Sequence, residues 1–323
     1  MSFSSEVKAE LAKNISSARH CRIAELSGMM SMVADVWYRN GSLFKLCITT
    51  ERSIIAKTMA SLIKVLFDIR MECSVKRTGS NSRIYRMVLD QPQEIERMLQ
   101  TLKLSPDFGI SRKGVAKVSC QDMTVNRMVV QQQCCKRAFI KGVFMTSGSV
   151  SDPKKGYHLE IVCDNEDRAK MIEKIMAELD IESRIIARKK YSVCYIKDGT
   201  MIVDMLNIMG AHISLMNMEN VRILKDISNN VNRRVNCEAA NLNKTVSAAV
   251  RQIQDINYVI ETRGITYLPD NLRSLAELRL EEPDASLKEL GEMMNPPIGK
   301  SGVNHRLRKI SEIAEDLRQK SYV

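Results

Sequence analysis

Lys300, Ser301, Asn304, His305, Arg306, Arg308 and Lys309 crowd into one short stretch near the end of the chain. No acid interrupts them between Glu292 and Glu312. Their chemistry suits a nucleic acid. A guanidinium or a carboxamide matches the paired donors and acceptors on a base edge, whereas an ammonium mainly neutralises phosphate. At about 100° per residue, Ser301, Asn304, His305 and Arg308 share one helical face and are the predicted base contacts. Lys300, Arg306 and Lys309 flank that face as predicted backbone contacts. The element that must hold them is a helix over 301–318, because Val303, Leu307, Ile310, Ala314 and Leu317 recur at steps of three and four on the far side. A shorter helix precedes it. Ser286 and Glu289 have capping-box spacing, Leu287, Leu290 and Met294 follow, and Asn295-Pro296-Pro297 stops the run. Two short helices joined by a tight turn form a helix-turn-helix, whose second helix fits the DNA major groove. The competing reading is a solvated basic face on an ordinary helical hairpin.

Other chemistry is sparse. Nine cysteines, at 21, 47, 73, 120, 134, 135, 163, 194 and 237, include no CxxC pair. With four histidines, and His20-Cys21 as the one adjacent His/Cys pair, no metal site is expected. No Walker loop or GxGxxG supports a nucleotide, and no Ser/His/Asp set can be placed, so no cofactor and no enzymatic activity are expected. The 323 residues, 44% of them hydrophobic, suffice for two or three domains. No apolar run reaches a membrane span, and the polar Met1–Glu6 start is no signal peptide. Scattered, odd-numbered thiols fit a reducing cytoplasm. The net charge of +11 favours a polyanion partner, and nearly all of the excess precedes residue 225.

The first two thirds repeat themselves. An apolar helix containing Gly28, a hairpin turning at Asn40-Gly41, a helix through Ile55–Leu66, strands at 69–77 and 83–89 around the Thr78–Ser82 loop, and a helix through Ile95–Leu102 form one unit. A helix over 137–147 containing Gly142, a turn at Asp152–Gly156, a strand Tyr157–Cys163, a helix through Ala169–Leu179, strands near 181–188 and 191–197, and a helix through Ile202–Met209 form the second. The implied fold is α+β: two α-β-β-α-β-β-α units, about 21–105 and 134–212, related by a pseudo-twofold. Mid-helix glycines predict close packing of the opening helices. Around this core lie an N-terminal helix (1–20), a connecting helix from 221 ending in a polar turn at Glu238–Lys244, and an all-α domain (245–323) whose first helix Thr245 caps.

Both opening helices, Ala24–Ala34 and Phe139–Ser149, resemble degenerate LAGLIDADG motifs. The whole chain resembles the WhiA family of bacterial sporulation and cell-division regulators, most sharply at Phe139–Pro153, Asn232–Cys237 with Ala240–Val246, and Lys300–Lys309. The resemblance implies a LAGLIDADG-like domain joined to a C-terminal helix-turn-helix. It further implies double-stranded promoter DNA as the partner, a nucleoid location, and roles in division, chromosome segregation or sporulation. An active LAGLIDADG enzyme ends each opening helix with a metal-holding carboxylate. Aligning Gly28 and Gly142 with the motif's glycine puts Val33 and Ser147 there, and Asp35 and Asp152 are out of step, so no cleavage is expected. Lys103, Arg112, Lys113, Lys117, Arg127, Lys136, Arg137 and Lys141, with strand residues Lys76, Arg77, Arg83, Arg86, Arg184, Arg188, Lys189 and Lys190, form a secondary DNA saddle, a protein-docking site or a plain solvated positive surface. Arg233-Arg234 is either a phosphate contact or plain surface. Two rivals remain: a nucleoid scaffold with low sequence preference, and an active endonuclease.

Overall fold

The computed structural model describes residues 2–77, 83–106 and 114–321. The predicted Thr78–Ser82 loop, with Arg112 and Lys113 of the basic segment, lies outside them. The chain divides into two compact units, Met1–Leu224 and Lys225–Val323.

In the N-terminal unit, Ser2 caps α1 (Phe3–Lys13). The first repeat runs α2 (Arg19–Val33), β1 (Ala34–Arg39), β2 (Ser42–Thr50), α3 (Ser53–Phe67), β3 (Glu72–Arg77), β4 (Arg83–Leu89) and α4 (Pro92–Leu102). Three short strands follow: β5 (Leu104–Pro106), β6 (Val115–Val118) and β7 (Met123–Val125). The second repeat is α5 (Gln133–Ser147), β8 (Gly148–Val150), β9 (Leu159–Cys163), α6 (Glu166–Ala177), β10 (Arg184–Arg188), β11 (Tyr191–Ile196) and α7 (Gly199–Met209). The α-β-β-α-β-β-α order therefore occurs twice, as predicted. Asn40 (φ 52°) and Gly41 (φ 82°) both take the left-handed conformation that a two-residue hairpin turn of this type demands.

The two sheets have matching orders, β3-β4-β2-β1 and β10-β11-β9-β8, all antiparallel. The sequence did not reveal β6, which adds a fifth strand beside β1, or the separate β5-β7 pair. Alternation gives each sheet one face to bury. Val36, Leu46, Ile48 and Met87 do so in the first, and Leu159, Ile161, Cys194 and Ile196 in the second. At the centre, α2 and α5 are buried over most of their length: they pack Leu26, Met29 and Met30 with Phe139, Val143 and Phe144, and a buried ion pair between Glu25 and Lys141 (2.9 Å) joins them. The glycines explain their approach. A Cβ on Gly28 would collide with the Phe139 carbonyl oxygen, and one on Gly142 with that of Glu25, a reciprocal contact across the pseudo-twofold.

Strand register sorts the basic residues by face. Lys76 and Arg86 lie with Trp37, Lys45 and Lys117 on the face turned from the core. Arg184 and Arg188 lie on the corresponding face of the second sheet, where Arg188 reaches Glu160 at 3.7 Å. Arg77 and Arg83 pair with each other on the opposite face, and Lys189 and Lys190 form the β10–β11 turn, so these four do not join a common lining.

The polar turn expected at Glu238–Lys244 is absent: α8 is one helix from His212 to Arg263. Thr245 caps nothing, since its hydroxyl donates to the Asn241 carbonyl within the helix (3.0 Å). Beyond α8 come a short 3₁₀ turn, Ile265–Tyr267, and α9 (Asp270–Glu281), α10 (Leu287–Met293) and α11 (Lys300–Ser321). Among the described residues no helix is long and apolar enough to cross a membrane.

Candidate nucleic-acid interface

The C-terminal unit has its own core. Ile256 and Val259 of α8, Leu272 and Leu275 of α9, and Leu290 of α10 pack on Val303, Leu307, Ile310, Ala314 and Leu317 of α11. The predicted apolar stripe is therefore the buried one. The capping box forms as read: the Ser286 amide donates to Glu289 Oε2 at 2.7 Å and the Glu289 amide to Ser286 Oγ at 3.3 Å. That backbone hydrogen bond, with the Ser286 hydroxyl, holds the Glu289 carboxyl below its ordinary pKa.

Three features missed in the sequence fix the hairpin. Gly291 lets the turn fold onto α10: Ile298 donates to the Gly291 carbonyl at 2.9 Å, and a Cβ there would strike the Ile298 carbonyl. Arg279 is 2% exposed, and Nη1 donates to the carbonyls of Pro283 (3.3 Å) and Ala285 (2.6 Å), which ties the α9–α10 connection. Burial lowers its pKa from the ordinary arginine value. Arg318 clamps the far end of α11, 2.8 Å from Asp255 and 4.9 Å over the Tyr258 ring. Buried arginine and close-packed glycine carry no periodic signal, so only the fold exposes these roles.

With one face of α11 thus anchored, Lys300, Ser301, Asn304, His305, Arg308 and Lys309 are all exposed. Arg306 differs from these in exposure. It lies half-buried on the shoulder of the apolar stripe, and Nη1 donates to the Asn271 carbonyl at 3.3 Å. A groove of about 410 Å³ beside the start of α11 brings Lys300 and Asn304 together with Lys244 and Thr245 of α8 and Lys288 of α10. Lys244, Thr245 and Lys288 were not singled out as site residues from the sequence, being distant in the chain.

In the N-terminal unit, Val33 and Ser147 stand at the last residues of α2 and α5, as aligned. The residues there do not fit a hard divalent cation. Asp35 is neutralised by Lys117 at 2.9 Å, and Asp152 accepts from the Lys154 amide in its own turn (2.9 Å). A buried arginine adds fixed positive charge at the end of α2. Arg168 donates to the Ser31 carbonyl, and through Nη2 to those of Cys120 and Met123 at 2.6 Å each. Burial lowers the Arg168 pKa from its usual value, with neighbouring thiols and acids opposing the shift.

The expectation that cysteine and histidine are too scattered to converge fails at one place. His20, Cys21, Cys134 and Cys135 bring their ligand atoms within 4.8 Å of one another. Sequence spacing hid the set because its halves belong to different repeats. The buried thiols of Cys163 and Cys194 are different: burial pushes them up to about 12 and 11, and packing is their role, while half-buried Cys120, pushed up to about 12 by burial and then by Asp164, donates to the Met32 carbonyl (3.4 Å).

Comparison with known proteins places these units. The WhiA N-terminal LAGLIDADG-like domain matches residues 19–105, the WhiA LAGLIDADG-like domain residues 136–228, and the WhiA C-terminal HTH domain residues 231–314. Proteins named probable cell division protein WhiA share 46% identity in Lachnoclostridium phytofermentans, over 99% of this chain and 100% of that relative. In Clostridium botulinum the identity is 42%, over 99% of each chain. The crystal structure of full-length DUF199/WhiA from Thermatoga maritima has the same fold, with a TM-score of 0.59 at 24% identity over 98% of this chain and 99% of that one. With both LAGLIDADG-like repeats and the helix-turn-helix matched in order along nearly the whole length, the chain belongs to the WhiA family.

Proposed function

We propose that this chain is a non-enzymatic, sequence-specific DNA-binding regulator that acts on promoters of cell-division, chromosome-segregation or sporulation genes at the nucleoid. The observation that carries this reading is the exposed, acid-free run of α11 from Lys300 to Lys309, held outward by an apolar opposite face in a family helix-turn-helix domain. Ser301, Asn304, His305 and Arg308 read base edges, while Lys300 and Lys309 grip phosphate. Arg306 serves the domain through Asn271 more than it serves the DNA. Lys244 and Lys288, across the groove from Lys300, extend the phosphate track. The experiment is promoter binding by Asn304→Ala and Arg308→Ala. Each loses ~1–3 kcal/mol on its own operator position and relaxes specificity there. Unchanged affinity in both defeats the assignment.

The non-enzymatic part rests on Val33, Ser147 and the cations around the end of α2. Plasmid DNA with magnesium or manganese tests it, since metal-dependent nicking abolished by Asp35→Ala overturns it. A second reading, a nucleoid scaffold with low sequence preference, draws on the basic outer sheet faces at Lys76, Arg86, Arg184 and Arg188. A genome-wide crosslinking map separates the two: sharp peaks over a shared short sequence favour the regulator, diffuse coverage the scaffold.

A further inference from the structure

We propose that His20, Cys21, Cys134 and Cys135 form a structural zinc site that clamps the starts of α2 and α5 together. The two helices contribute the same positions. The offset that superposes Gly28 on Gly142 also places Cys21 on Cys135 and His20 on Cys134. Each helix therefore brings the second and third residues of its first turn to the pseudo-twofold axis.

The geometry suits a tetrahedral ion. His20 Nδ1 lies 3.2 Å from Cys135 Sγ, 3.4 Å from Cys21 Sγ and 3.9 Å from Cys134 Sγ. Zinc bonds of ~2.3 Å to sulfur and ~2.0–2.1 Å to nitrogen, at tetrahedral angles, need nitrogen–sulfur edges of about 3.5 Å. The three nitrogen–sulfur edges lie within a few tenths of an ångström of that value, and all four ligand atoms lie within 4.8 Å of one another. Three thiolates and one imidazole nitrogen are soft ligands, which favour zinc over magnesium or calcium. Four protein ligands leave no open position, so the site is structural, not catalytic.

The surroundings agree. His20 and Cys21 stand in the first turn of α2 and Cys134 and Cys135 in the first turn of α5, so the positive ends of both helix dipoles adjoin the cluster. Cys21 and Cys135 are buried while His20 and Cys134 are exposed, so one side packs and the other admits the ion. This is not the cation site of a LAGLIDADG enzyme. His20 and Val33 occupy opposite ends of α2, about 20 Å apart at 1.5 Å per residue. Bridging residues far apart in sequence restricts the unfolded chain much as a disulfide does, so bound zinc stabilises the domain.

The test is metal analysis of the full, tag-free chain purified under reducing conditions without chelator. One zinc per chain is expected. Replacement by cobalt is expected to give the visible bands of tetrahedral Co(II) with strong sulfur-to-cobalt charge transfer. Cys134→Ser, a change at an exposed position, should lose both signals while keeping the far-UV circular dichroism of the parent. Cys73→Ser, also at an exposed position, should keep them. Removing zinc should lower the thermal midpoint of the parent but not of Cys134→Ser. Reduced parent protein with negligible zinc and no cobalt spectrum overturns the proposal. So does mass spectrometry showing that Cys21 is held in a disulfide to Cys134 or Cys135 in the freshly isolated protein.

Discussion

Replacing Gly142 by alanine sets two effects of known sign against each other. Alanine favours a helix interior over glycine by ~1 kcal/mol, so propensity alone predicts a more stable protein. The structure predicts the reverse. The new Cβ would strike the Glu25 carbonyl oxygen and crowd the Met29 amide, both main-chain groups of α2 that cannot rotate away. The helices must part by roughly 1 Å, and a gap of that size forfeits a quarter to a half of the dispersion attraction across it. Leu26, Met29, Phe139 and Val143, all with no exposed surface, pack at this crossing and would be loosened by the separation. Overpacking of this kind costs ~1–3 kcal/mol, and a backbone obstacle puts it at the upper end or beyond. The expected net loss is ~2–4 kcal/mol, or a fall of about 1–2 M in the urea midpoint at a slope of ~2 kcal/mol per molar. The single tryptophan, Trp37 on β1, reports this unit by fluorescence without labelling. Gly156→Ala is the control, because a Cβ there meets nothing within 4 Å. If Gly142→Ala unfolds at the same urea concentration as the parent, the close helix crossing is wrong.

Three further outcomes follow from other parts of the molecule. Lys309→Ala should weaken binding to all DNA sequences alike and flatten the salt slope by about one, whereas a sequence-dependent loss would move Lys309 among the base contacts. Ser286→Ala removes the capping box and should destabilise the C-terminal unit by about 1 kcal/mol, read by circular dichroism; no change would mean that the α10 cap is idle. Burial, with Arg52 adding to it, lowers the Lys8 pKa to about 7, so below that pH its ammonium is held beside the Phe144 ring at a cost, and stability rises with pH between about 7 and 10.5. Lys8→Met should therefore be more stable than the parent at pH 6, by up to about 5 kcal/mol, with the gap closing as pH rises from about 7 to 10.5, and a constant gap would refute the assignment.

What the sequence made legible was whatever local periodicity encodes. The doubled element order, the Asn40-Gly41 turn and the Ser286–Glu289 cap depend on neighbours within a few residues, and each is in place. The exposed face of α11 was legible for the same reason, except at Arg306. Its angular position beside the apolar stripe leaves it within reach of Asn271 on α9, a residue that spacing along α11 cannot show. The missing turn at 238–244 has a local cause. Polar residues there suggested a break, but Glu238–Lys244 contains neither glycine nor proline, and Asn241 accepts the Thr245 hydroxyl inside the helix. The cysteine–histidine cluster was illegible because each half is an adjacent pair, and ligand-spacing rules describe loops, not a meeting across a twofold axis.

That axis gives the two ends of the α2–α5 pair different chemistry. In a cleaving enzyme the C-terminal ends carry the carboxylates, whose mutual repulsion a bound metal must relieve. Here Val33 and Ser147 remove that repulsion, and Arg168 satisfies the Ser31 carbonyl near the end of α2 directly. The N-terminal ends of the pair gather three thiols and an imidazole, a set that gains most when a thiophilic cation replaces their protons. The two ends would thus differ in the metals they suit, and the two are separable in one experiment. Zinc removal should lower the thermal midpoint and loosen the crossing at Gly28 and Gly142, while magnesium should change neither stability nor DNA integrity. A rise in stability with magnesium that Asp35→Ala abolishes would show that the C-terminal ends still hold a cation, and the separation of roles would fail.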